Sequence, residues 1–259
     1  MMKEYTDRHP VQTALLCVGL QFMLTWIILV AGRGMAPPAE FGKVKLVAFA
    51  STIVLPLVLV QVLGLWKRIG LELNRIRPEP VALAALVPCA VYLLAGVRGG
   101  TEQLAGDATL QFFNAFGEEM LFRGVIFALL LQLPRWQALI LGGLLFGGMH
   151  LMHGFMGASW SDAFRQAGLT AITGTMFTAV RFRSGSLWLV ILIHMVVNMC
   201  KLYSNVRDAE AGSPLPLLVW FEYLFQIGIV IYVIFSERGK LGWSFAGRPM
   251  ARREDALTT

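Results

Sequence analysis

Charge is what this sequence has least of. Asp, Glu, Lys and Arg supply 15% of its 259 residues, where a soluble domain carries about 25%. Apolar side chains rise to 56%, against roughly 45–50% in soluble domains. The shift excludes an ordinary soluble domain and points to lipid as the solvent. Cysteine is also scarce. Cys17, Cys89 and Cys200 are odd in number and each sits inside an apolar run, which argues for small core residues over disulfides or a metal cluster. The chain shows no internal repeat and no low-complexity tract. It has no HExxH of a zincin-type protease and no glycine-rich phosphate loop with a Walker lysine. The net charge is +6, but the 22 Lys and Arg lie in short clusters between apolar runs. Without a basic face, nucleic acid is not an expected partner.

Long apolar runs are plentiful. Stretches of about 17–25 apolar residues can span a bilayer, and clear ones lie near 11–31, 44–64, 186–202 and 216–235. A shorter Ala-rich run covers 81–97, and three polar- or glycine-interrupted runs cover 109–133, 138–153 and 162–181. The expectation is an all-α, polytopic membrane protein with about eight transmembrane helices, in one integral membrane domain over residues 1–259. The first apolar run is too long for a signal-peptide core of roughly 7–15 residues and reads as the first span. Pro37, Pro38, Pro78, Pro80, Pro134, Pro214 and Pro216 fall between spans or at their edges, where breakers belong.

With eight spans, the side holding both termini carries fourteen Lys and Arg and the other side seven. Cytoplasmic loops carry the excess, so both termini are expected in the cytoplasm. The segment 66–80, WKRIGLELNRIRPEP, reads as a cytoplasmic amphipathic stretch lying on headgroups.

Against that background, NAFGEEMLFRG at 114–124 stands out. An ionised side chain at a span's centre costs roughly 2.5–3.5 kcal/mol, so Glu118, Glu119 and Arg123 need partners facing the bundle interior. On a helix Glu119 and Arg123 are four residues apart and can pair. Glu118 sits about 100° round and is left free. Other intramembrane polar groups are His150, with Phe146 one turn before it, and His194, with Asn198 one turn after it. His153 reads as a rim residue and His9 as a solvated one. The glycines of LGGLLFGG allow close helix approach. Ser184 and Ser186 read as turn and N-cap residues. A desolvated glutamate suits a general base, a neutral histidine can help polarise water, and a His–Asn pair one turn apart can meet an oxyanion. The same Glu118, His150 and His194 could instead ligate a metal with one open position.

These three motifs, Glu118-Glu119-x-x-x-Arg123, Phe146-x-x-x-His150 and His194-x-x-x-Asn198, resemble those of the CAAX prenyl endopeptidase type II family. This is the group of CAAX proteases and bacteriocin-processing enzymes also called ABI or CPBP, with lysostaphin-resistance-protein-A-like members. The run RFRSGSLWLVILIHMVVN at 181–198 is similar to the family's approach to its third motif, and the resemblance covers roughly residues 80–205. It implies an eight-helix intramembrane protease fold. Glu118 would activate water with His150, His194 and Asn198 would stabilise the oxyanion, and Glu119, Arg123 and Phe146 would support the site. The cofactor is either none or a divalent metal such as zinc. The implied partners are the lipid bilayer and a membrane-associated peptide or protein substrate. The compact chain without long extensions favours a bacterial inner membrane. Two rivals remain at this point: a non-catalytic scaffold or bacteriocin-immunity-type protein of the same fold, and a haem protein using the paired histidines.

Overall fold

A computed structural model describes residues 2–37, 40–97, 100–205 and 215–236. Arg98, Arg207, Arg238, Lys240, Arg248, Arg252, Arg253, Pro38 and Pro214, all used in the sequence reading, lie outside the described residues. Among the described residues there is no strand, only an isolated bridge between Val97 and Ser204. The helices in order are α1 (Met2–Arg8), α2 (Pro10–Met35), α3 (Phe41–Val62), α4 (Pro80–Ala84), α5 (Val87–Leu94) and α6 (Leu104–Glu119). They continue as α7 (Phe127–Leu130), α8 (Arg135–Met149), α9 (Met152–Phe155), α10 (Trp160–Ser184), α11 (Leu187–Tyr203) and α12 (Leu215–Phe235).

Each of the eight expected stretches is helical. Four segments, Pro10–Met35, Phe41–Val62, Arg135–Phe155 and Leu217–Phe235, have both the length and the hydropathy to cross a membrane. Pro80–Leu94 and Leu187–Tyr203 are apolar but shorter. The expected 81–97 run is divided into α4 and α5, with Pro88 in the first turn of α5. The expected 109–133 run starts earlier and changes pitch: a π-helical turn, Met120–Ile126, joins α6 to α7.

That segment is the bundle's central post. Every residue from 119 to 130 is buried, because α2, α3, α8, α10 and α11 surround it. A segment buried on all sides is apolar all round, and apart from Glu119 and Arg123 this one is. Polar groups elsewhere in the interior find one another. Gln21 on α2 donates to Thr25 (2.9 Å) and to Ser51 on α3 (3.2 Å). Glu222 on α12 meets Lys201 of α11 at 2.8 Å, accepts from the Tyr92 hydroxyl, and is bonded by Gln226 (2.9 Å).

α8 and α10 pack most intimately, and glycine is what allows it. A Cβ on Gly143 would collide with the Thr175 hydroxyl and come within 2.6 Å of the Ala171 carbonyl. The α10–α11 turn is tight. Gly185 adopts the left-handed conformation (φ 67°) that ends α10, and the Ser186 side chain caps α11 by accepting from the Leu189 amide at 3.3 Å. Ser184 and Ser186 are thus turn and cap residues, as expected. Cys17, Cys89 and Cys200 are buried and free. The 66–80 segment is two-faced but mostly irregular, with helical pitch only over Leu73–Arg75. Trp66, Leu73 and Ile76 are exposed while Ile69 is buried, and the Gly70 carbonyl accepts from the Leu187 amide at 2.8 Å.

The bundle has two distinct ends. At one, Gln132 donates to Asp7 (3.2 Å), Arg135 donates to the last carbonyls of α12, and Arg183 donates to Ser236. At the other, Arg33 at the end of α2 donates to the Met156 carbonyl (2.9 Å), and Asn205 donates to the Ala95 carbonyl (3.3 Å).

Candidate active site

Adjacent glutamates on α6 face different surroundings. The Glu119 side chain is fully buried, whereas that of Glu118 is 25% exposed. Glu119 Oε1 accepts from Arg123 Nη1 at 3.0 Å, the expected i,i+4 pair. Arg123 is itself sealed: Nη2 donates to the Gly174 carbonyl at 2.8 Å, and the guanidinium lies 4.4 Å from the Phe146 ring centroid and 5.4 Å from that of Phe177. Such a cation over aromatic faces is stabilised by the ring quadrupoles. Gly174 is obligatory here, since a Cβ would stand 2.7 Å from the Phe146 ring and 3.1 Å from Arg123 Nη2.

His194 on α11 reaches this node. Its Nδ1 lies 2.7 Å from Glu119 Oε1. That oxygen also accepts from Arg123, so Nδ1 is read as the donor. The other ring nitrogen, Nε2, faces Glu118 Oε2 at 3.7 Å. His150 follows the last turn of α8, with Nδ1 3.0 Å from the Phe146 carbonyl oxygen. A carbonyl only accepts, so Nδ1 carries the proton and a neutral His150 presents a lone pair at Nε2. Phe146 links the three motifs: its ring is 5.1 Å from that of His150 and 6.1 Å from that of His194, both edge-to-face. Asn198 sits one turn beyond His194, its amide donating to Gln111 of α6 at 3.0 Å.

Two cavities meet at this wall. One, of about 450 Å³, is lined by Glu118, His150, His194 and Asn198 and widens past Thr173, Gln166 and Tyr223 to Asp162, Arg165 and Lys201. The other, of about 500 Å³, is a largely apolar trough between α2, α3 and α8, running past Phe49, Leu121 and Met149 to Arg33 and Lys45. Asn114, Glu118, Phe146 and His150 border both. His153 is at the exposed rim, bonded to Gln166 at 2.6 Å, and His9 is exposed at the start of α2, each as expected.

A carboxylate and two imidazoles, those of Glu118, His150 and His194, thus line one common cavity. Among the described residues, no group of three or more His, Cys, Asp or Glu is disposed to hold a metal ion. The Glu118–His150–His194 ligand set is therefore not assembled in this arrangement, although Glu118 and His194 come near one another.

Residues 102–200 match the family model described as type II CAAX prenyl endopeptidase Rce1-like. The central segment is Rce1-like. The resemblance read from the three motifs is thus borne out, and the matched stretch runs from just before α6 into α11, holding all seven motif residues. The matched model describes a protease family, and four helices of the chain are long and apolar enough to cross a membrane, both in keeping with an integral membrane protein. No curated protein matches the chain.

Several residues of the Rce1-like segment escaped the sequence reading. Gln111, Gly174 and Phe177 carry no local signal, because their roles arise from partners far along the chain. Glu222, outside the matched segment, did carry one: it is a lone acid in an apolar run with Gln226 four residues on.

Proposed function

We propose that the chain is an intramembrane endopeptidase of the CAAX-protease kind, hydrolysing a peptide bond of a membrane-associated peptide or protein. In this reading it forms one integral unit of eight membrane-crossing segments in a bacterial inner membrane, with both termini cytoplasmic and its catalytic core within 80–205. The observation that carries the chemistry is the division between the two glutamates: the fully buried Glu119 is engaged through Oε1 by Arg123 and His194, while the partly exposed Glu118 faces both cavities.

Glu118 takes a proton from a water whose oxygen attacks the scissile carbonyl carbon, with His150 Nε2 accepting the water's second hydrogen bond. His194 can donate to the oxyanion from Nε2 only as the imidazolium, because Nδ1 is committed to Glu119. The Glu119 carboxylate stabilises that charge, the orienting role a carboxylate plays behind a catalytic histidine. Asn198, held by Gln111, supplies the remaining amide hydrogen. Glu118 then returns the proton to the leaving nitrogen, the C–N bond breaks, and an acid and an amine leave. Preorganised donors of this kind act strongly where water is excluded.

Purified Glu118→Gln protein should cleave about 10²–10⁴-fold more slowly, the usual worth of a general base, with an unchanged melting temperature. Cleavage at the wild-type rate overturns the assignment. The wild-type rate should survive chelation. Loss on chelation with recovery on adding Zn²⁺ would replace Glu118 as direct base with a metal-bound water.

A further inference from the structure

We infer that the site is served from the side of the membrane opposite both termini, the extracytoplasmic side. Its substrates are then membrane-inserted peptides cut where they emerge toward that face. The inference rests on the endopeptidase reading for the word substrate, but its first half concerns only where the cavities open.

Both cavities run in one direction. From Glu118 the polar cavity reaches Asp162 and Arg165 in the first turns of α10, whose side chains are 63% and 72% exposed. The apolar trough reaches Arg33 at the end of α2 and Lys45 at the start of α3. Those elements lie at the bundle end marked by the Arg33–Met156 bond. Toward the end marked by Asp7–Gln132 the path is blocked. Residues 119–130 are buried without a break, and Phe177, Val190 and Ile191 close around them.

The sidedness of lysine and arginine decides which end is which. Arg8, Lys67, Arg68, Arg75, Arg77, Arg135, Arg181 and Arg183 cluster at the blocked end among the described residues. Only Arg33, Lys43, Lys45, Arg165 and Lys201 mark the open end among the described residues. Short loops rich in Lys and Arg stay in the cytoplasm, so the open end faces outward. The trough offers an apolar bed for an inserted segment and the polar cavity a wet exit, which fits a substrate at the point where it leaves lipid. A soluble tail presented from the cytoplasm meets only the blocked end.

The test uses full-length protein in cells and sealed vesicles. The native cysteines are buried, and Ala158→Cys and Asn74→Cys place single exposed thiols at the open and blocked ends. Labelling in detergent sets the full signal for each variant. A membrane-impermeant maleimide should label Ala158→Cys in right-side-out vesicles and Asn74→Cys only in inverted ones. The opposite pattern, or equal labelling of both from both sides, overturns the inference. The same variants carrying Glu118→Gln should label identically, so orientation is read even where no cleavage occurs. With active protein, a reporter peptide spanning the membrane should be cut on its extracytoplasmic side. A cut confined to its cytoplasmic side overturns the substrate assignment.

Discussion

The buried ion pair is where a single side chain matters most. Arg123 and Glu119 have no exposure and share their node with His194. Removing one partner strands the other's charge, which costs about 3–5 kcal/mol, whereas replacing both with apolar groups is often neutral. Arg123→Met should therefore lower the melting temperature in detergent sharply, and adding Glu119→Met should restore much of it without restoring cleavage. A single variant as stable as wild type would show that the pair braces nothing. This pairing was legible in the sequence, because i,i+4 spacing is a local property and two acids cannot share one arginine at that geometry. The bond from Asn198 to Gln111, which crosses 87 positions, was not, since no periodicity links residues on different helices. Nor was the need for glycine at 174, which depends on where Phe146 and Arg123 arrive.

At the level of helices, the sequence announced its ends better than its interiors. The Ser184–Ser186 turn follows from capping chemistry and a left-handed glycine, both local. The π-helical turn over Met120–Ile126 was invisible, because nothing in its run of residues announces a change of pitch, and π turns often mark functional sites. Of the α8 glycines read as contact residues, Gly142, Gly143 and Gly147 abut α10 and Gly148 does not. Gly143 abuts Thr175, while a Cβ on Gly148 would meet nothing within 4 Å. Gly143→Ala should push α8 from α10, drawing His150 from Glu118 and lowering both stability and rate. Gly148→Ala should leave both intact or raise stability by up to about 1 kcal/mol through helix propensity. Equal effects of the two in a thermal-shift and cleavage series would refute a close α8–α10 seam.

Across the whole molecule, the stretches expected to be helical were found, and what composition could not supply was the length of each. The 17 residues of α11 rise about 26 Å, short of a hydrocarbon core of about 30 Å, and the α4–α5 pair is shorter still. A bilayer accommodates short segments by thinning, so turnover should be faster in short-chain than in long-chain phosphatidylcholine, and a rate indifferent to chain length would remove the mismatch argument. The unbroken burial of residues 119–130 has a consequence of its own. In the proposed reading, a protease that admits water halfway through an energised membrane risks becoming a leak, and this post is its stopper. Trimming its large side chains, Phe127 or Leu130 for example, threatens the proton gradient of the cell before it threatens peptide cleavage.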